Sequence, residues 1–267
     1  MSNWIFLSKD LGDPYMNQFA HGCGSVPIDS NKFNYDESED PIVLRGILKK
    51  KFIHKCWEDN RDFYYMDTGY FGNERTQSNP NGWKYWHRIV KNNLQHDEII
   101  TRPGDRFKNF KKKFQPWKKE GRKILIAAPD EKPMKFYGLN LEEWLESTIN
   151  EIKKHTDRPI EVRRRNKLRL DRMTVDTLEQ ALNNDVFALV TYNSNAAVES
   201  IFHGIPVFVL APACAAGPMG KRTLSEIENP FYPEREQLQH WANHLAYGQF
   251  HISEIKSGKA KRILEEQ

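Results

Sequence analysis

The segment 191–199, Thr-Tyr-Asn-Ser-Asn-Ala-Ala-Val-Glu, gathers residue types suited to holding a phosphorylated nucleotide. It joins an apolar run to a helical pattern, so the carboxyl end of a strand meets a helix start. Unpaired backbone N–H groups there point outward, and the helix dipole favours negative charge. Asn193, Ser194 and Asn195 can cap that helix and also donate to a phosphate. Glu199 follows about one turn later, placed where a carboxylate can accept both hydroxyls of a ribose. Gly204 permits a tight turn, and Pro206 opens the next apolar run. An ordinary capped helix would use the same polar triplet. The strand end, serine, inward glutamate and Gly-x-Pro together favour ligand binding.

A second set of residues suits proton transfer. Asp67 lies in Tyr-Tyr-Met-Asp-Thr-Gly-Tyr-Phe-Gly-Asn (64–73), just past an apolar run and beside Gly69 and Gly72. A carboxylate at a strand's carboxyl end faces the crevice where α/β sheets bind ligands. It can take a proton there from an attacking hydroxyl, or simply form a turn. His21, within His-Gly-Cys-Gly-Ser, is the rival base, and its glycine-rich setting also suits a loop approaching a sugar phosphate.

Two further segments interleave aromatic rings with cations. Residues 83–93 carry Lys84, His87 and Arg88 among tryptophans, and residues 106–119 carry Lys111, Lys112, Lys113 and Trp117 among Phe107, Phe110 and Phe114. Such side chains stack on bases and bond phosphates; a packed connection with snorkelling lysines is the alternative.

These residues need elements to position them. Apolar runs at 4–7, 42–44 and 63–66 read as buried strands, with helical spacing over 48–58 at Leu48, Phe52 and Cys56. Residues 97–121 lack an apolar period and are strongly basic, which predicts a linker. Beyond it come a strand at 124–128, a helix capped by Asn140 and running through His155, and a strand at 159–162. A helix over 175–183 capped by Thr174, the strand Val186–Thr191, a helix over 196–203 and a strand over 206–210 follow. Helices at 234–247 and 253–266 close the chain. The repeated β-α order predicts an α/β protein with doubly wound parallel sheets, divided into residues 1–115 and 116–267.

At 267 residues, with 40 Lys and Arg against 36 Asp and Glu, the chain carries a net charge of only +4. The basic residues concentrate in 102–123 and 163–172, which suggests polyanionic partners. Cys23, Cys56 and Cys214 fit neither a disulfide framework nor metal-ligand spacing, and they read as buried thiols in a reducing compartment. No run reaches the ~18 apolar residues of a membrane span, and the amino terminus lacks the basic region of a signal peptide. A cytoplasmic protein, off the membrane and monomeric, is expected.

The run NSNAAVESIFHGIPVFV resembles the donor-nucleotide motif of glycosyltransferases with two facing Rossmann-like domains, the GT-B fold. The resemblance implies that Ser194 and Asn195, with Asn193, hold the diphosphate and that Glu199 holds the ribose. It further implies that Arg163 or Arg165 reaches the diphosphate and that a central cleft separates an acceptor domain from a donor domain. Together with Tyr-Met-Asp-Thr-Gly-Tyr-Phe-Gly (65–72) and Lys-Asn-Asn-Leu-Gln (91–95), the pattern is similar to phage glycosyltransferases that modify hydroxymethylated bases in DNA. That likeness implies a UDP-glucose donor and, as acceptor, a hydroxymethylpyrimidine in double-stranded DNA flipped from its stack. Localisation would then be the host cytoplasm. No Asp-x-Asp motif is present, so no metal is expected to be required, though Mg²⁺ can assist product release. A transferase acting on a surface polysaccharide or lipid-linked sugar is the nearest alternative. A nucleic-acid-binding protein without catalysis is the other.

Overall fold

Short β-branched and aromatic runs alternating with amphipathic stretches build two separate sheets, one mixed and one all parallel. The computed structural model describes residues 3–47, 50–73, 84–164 and 177–266. They fall into two units, Met1–Leu94 with Ala246–Gln267, and Gln95–Leu245.

The first unit opens with β1 (Ile5–Ser8) and α1 (Pro14–Gly22). Asp13 caps α1, its Oδ1 accepting from Tyr15 N at 3.0 Å and Met16 N at 3.3 Å, and Pro14 supplies a preset φ. The short β2 (Ile28–Asp29), then β3 (Ile42–Arg45), α2 (Lys50–Glu58), β4 (Phe63–Thr68) and β5 (Trp86–Lys91) follow. The strands foreseen at 4–7, 42–44 and 63–66 are present, and α2 buries Phe52, Ile53 and Cys56 as its spacing requires. Three of these elements escape the sequence pattern, the short β2 among them. Residues 14–22, where His21 was expected in a loop, form a helix, and residues 86–91 form a strand.

The second unit begins with a short helix α3 (Asp105–Lys108), followed by β6 (Lys123–Ala127), α4 (Glu131–Phe136) and α5 (Leu141–Lys153). Asn140 caps α5 through Glu142 N at 2.9 Å, and the helix buries Leu145, Thr148 and Ile152. Each apolar side chain so buried contributes about 1.5–3 kcal/mol. Next come β7 (Ile160–Arg163), α6 (Leu178–Leu182), β8 (Val186–Thr191), α7 (Ala196–Phe202), β9 (Val207–Val209) and α8 (Arg235–Tyr247). The cap of α6 is Thr177, in a capping box with Gln180, and not Thr174, which lies outside the described residues. Only a reciprocal partner three residues on completes that box, and Thr177 has one.

After α8 the chain returns to the first unit with β10 (Gln249–His251), α9 (Ile252–Lys256) and α10 (Lys259–Glu265). The helix expected over 253–266 is thus two, because Gly258 adopts φ +75° and ends the first. Among the described residues the first sheet runs β10-β5-β4-β3-β1-β2, with β4, β3, β1 and β2 parallel and β5 and β10 antiparallel. The second runs β7-β6-β8-β9, all parallel.

The units therefore part differently from the expected boundary at 115/116. Residues 97–121 are no linker. Phe107 and Phe114 are buried, with ring centroids 6.0 and 4.7 Å from Phe202, and Phe202 lies 5.6 Å from Trp241. Gln115 N donates to Phe202 O at 2.9 Å and Lys118 N to Gly204 O at 2.7 Å. Aromatic residues spaced irregularly give no helical or strand period, yet they bury fully against α7 and α8.

Candidate functional site

In the second sheet, β7 lies on one side of β6 and β8 on the other. Strand order reverses between β6 and β8, and ligands of open α/β sheets bind outside the carboxyl ends at such a point. The Thr191 hydroxyl donates to Ala127 O at 2.6 Å, tying the two strand ends together. The loops leaving them hold 128–130 and 192–195.

The polar loop 193–195 and the start of α7 lie at this point. Ser194 Oγ accepts from Ala196 N at 3.2 Å, and Ser194 O accepts from Ala197 N at 3.0 Å, which starts α7. Asn193, Ser194 and Asn195 are all partly exposed. Glu199 sits one turn into α7, and its Oε2 accepts from Lys112 Nζ at 3.1 Å, with the two side chains 27% and 22% exposed. Gly204 has φ +70°, and a Cβ there would meet Pro116 O at 2.0 Å, so both backbone and packing demand glycine.

One residue of this region was invisible in the sequence. Gln95 is buried; its Nε2 donates to Asn193 O at 2.9 Å and its Oε1 accepts from Ala215 N at 2.8 Å. It clamps the loop after β8 to the loop after β9. The buried Trp241 holds the same second loop through Nε1 to Ala215 O at 2.6 Å. A lone glutamine between two elements carries no pattern that would mark it.

Arg163 ends β7 opposite Ala127, with its carbonyl accepting from Ala128 N at 3.0 Å. Arg165 lies outside the described residues. Arg164, between them, forks onto Glu142 at 2.7 and 2.6 Å and holds that carboxyl below its usual range.

In the first unit Asp67 sits near the carboxyl end of β4. Its Oδ2 accepts from the Tyr65 hydroxyl at 2.9 Å and Arg88 Nη2 at 3.1 Å, and its Oδ1 from Thr68 N at 2.7 Å. The carboxylate stays 39% exposed, so a substrate hydroxyl can reach it. His21 is exposed on the last turn of α1, and the glycine-rich turn that follows bonds back to it, Gly24 N donating to His21 O at 3.0 Å. Its neighbour Gly22 is a packing residue, since a Cβ there would lie 2.2 Å from Ile255 O.

The residues expected to meet DNA are mostly spent on structure. His87 is 1% exposed, and its Nε2–H donates to Lys84 O at 3.1 Å. Burial pushes its pKa down to about 4, with the Arg45 charge adding to the effect. A neutral, enclosed imidazole cannot pair with a phosphate. Arg88 is also buried, donating to Thr68 O at 2.7 Å and Leu94 O at 3.2 Å besides Asp67. Trp117 donates to Pro233 O at 3.0 Å and packs edge-on to Tyr232. Lys112 is paired with Glu199. Lys111 and Lys113 are exposed, and Lys84 is partly so.

The cysteines are free, Cys56 and Cys214 buried and Cys23 partly so. Among the described residues no cluster of three or more His, Cys, Asp or Glu could hold a metal ion, and no helix is long and apolar enough to cross a membrane.

No protein-family model matches the sequence, and no curated protein matches it. Among solved structures, the chain is similar to Thermosulfurimonas dismutans KpsC beta Kdo 2,4 transferase at 12% identity and a TM-score of 0.49, covering 90% of this chain and 89% of that one. It is likewise similar to Thermosulfurimonas dismutans KpsC beta Kdo 2,7 transferase at 11% identity and a TM-score of 0.49, covering 97% and 99%. The functional assignment therefore rests on the residues themselves.

Proposed function

We propose that this protein is a glycosyltransferase moving a sugar from a nucleoside-diphosphate donor, held by the second unit, to an acceptor hydroxyl. One observation carries the reading: a partly exposed carboxylate, Glu199, stands one turn beyond the polar loop 193–195 at the switch point of a parallel sheet. That spacing suits a ribose diol on Glu199 and a diphosphate on Asn193, Ser194 and Asn195. Arg163 or Arg165 neutralises the leaving diphosphate. Asp67 takes the acceptor proton as the acceptor oxygen attacks the anomeric carbon and the nucleoside diphosphate departs. Asp67 serves better than His21, which belongs to an exposed helix face.

A hydroxymethylated base in DNA is the narrower acceptor. Among the described residues of 106–119, Lys108, Lys111, Lys113 and Lys119 are exposed and can meet phosphates. A saccharide hydroxyl needs none of them and is the broader acceptor class. Incubating the protein with radiolabelled UDP-glucose and hydroxymethylcytosine DNA, unmodified DNA or oligosaccharides separates the cases. Label on modified DNA alone supports the DNA acceptor, and label on saccharide supports the other. Absence of nucleotide-sugar binding, with DNA binding retained, would leave a non-catalytic nucleic-acid binder.

A further inference from the structure

The two edges of the second sheet differ. At β9 the outer edge is closed by Lys221, whose N donates to Val207 O at 3.0 Å and whose O accepts from Val209 N at 2.9 Å. At the other edge, β7 pairs with β6 alone among the described residues. Pro159 O and Arg163 O turn inward, accepting from Ile124 N at 2.9 Å and Ala128 N at 3.0 Å. Bonding direction alternates along a strand, so Ile160 and Val162 turn their N–H and C=O groups outward. Unpaired edge groups of this kind are a template for a strand from another chain.

A groove of about 410 Å³ lies over this edge, between one stripe of α5 and the side chains of Val162 and Arg164. Charge is sorted along the stripe. Near the helix start, Arg164 neutralises Glu142 through bonds at 2.7 and 2.6 Å. Glu146 comes next, then the partly exposed Ile149, and Lys153 continues the same face a turn later. Glu146 and Lys153 are both exposed, and neither joins an ion pair among the described residues. The face is thus acidic at one end, basic at the other and apolar between.

We propose that α5 and β7 form a homodimer interface that joins the second sheets of two copies edge to edge. A two-fold axis requires a surface complementary to itself, and this one is. The axis sets the two α5 helices antiparallel, so that Glu146 of each copy meets Lys153 of the other across the Ile149 side chains. It also sets the two β7 strands antiparallel, where the outward groups of Ile160 and Val162 bond the second copy. The dimer is independent of the sugar-transfer reading and replaces the monomer expected from the sequence.

Light scattering during size exclusion of the whole protein, over a concentration series, should give twice the chain mass of 31.4 kDa. Glu146→Lys and Lys153→Glu should each weaken the dimer about tenfold or more, because each sets like charges together at both symmetric contacts. Mixing the two variants should restore it, since every such contact in the mixed pair again joins opposite charges. Both sites are exposed, so each variant should unfold in urea at the wild-type midpoint. A wild type that is monomeric throughout the series would overturn the proposal. A dimer that neither variant weakens, or that the mixture fails to recover, would do the same.

Discussion

Asp67 accepts three hydrogen bonds, from Tyr65, Thr68 N–H and Arg88, which fix its carboxylate without enclosing it. Asp67→Asn keeps the shape and removes the proton acceptor. In the proposed transfer it should lower kcat by about 10²–10⁴ while leaving the donor KM near wild type, as steady-state kinetics would show. An equal rise in donor KM would place Asp67 in binding instead. Glu199→Ala should do the reverse, weakening donor nucleotide about tenfold in a titration, and unchanged affinity would remove Glu199 from the ribose.

Two buried histidines set a pH response. His87 and His244 both have their pKa lowered to about 4, chiefly by burial, and neither Nδ1 has a hydrogen-bond partner among the described residues. Unfolded, each would titrate near 6.5. Between about pH 6.5 and 4 the unfolded chain therefore binds more protons, so stability falls as pH drops through that window. Near pH 5 the cost is about 2 kcal/mol for each histidine. Urea unfolding at pH 7 and pH 5 should show the loss, and His244→Phe should show less of it. An unchanged difference would mean that His244 is protonated in the fold.

At the scale of elements, the connection 105–118 and the start of β9 depend on one glycine. Gly204 combines a left-handed backbone with a close approach to Pro116 O. Gly204→Ala meets both obstacles, and the atom it would strike is a backbone oxygen, which cannot rotate away. The variant should lose about 2 kcal/mol or more in urea unfolding. A loss below about 1 kcal/mol would mean that residues 115–118 detach at little cost. The same contact explains why a stretch with no apolar period is ordered: its aromatic residues and carbonyls pack on α7 and the turn after it.

At the scale of the whole molecule, the first unit is completed by the end of the chain. β10 pairs antiparallel with β5. The buried Gln249 bonds Tyr70 N at 2.7 Å and Phe71 O at 3.0 Å, while Ile255, Ala260 and Leu264 join the core around Trp4 and Phe19. A chain ending at Leu245 should therefore expose the first sheet's edge and core but keep the second sheet and its hydrogen bonds. Limited proteolysis should degrade residues 3–94 and leave a resistant fragment near 95–245. Equal resistance of both parts would show that the returning segment is dispensable.

The α/β class, most strands and the polar loop before α7 were legible in the sequence, because each follows from local periodicity and capping. Asn140 and Ser194 bond backbone groups two residues on, so their types and spacing were enough to place those contacts. The partnership of Lys112 with Glu199, the clamp by Gln95 and the burial of His87 and Arg88 were not legible. Each joins residues far apart in the chain, and a charged or aromatic side chain reads the same in sequence whether it faces solvent or a buried partner. Only the tertiary packing decided which of the described cations in 84–119 stayed exposed, because burial and pairing had taken His87, Arg88 and Lys112.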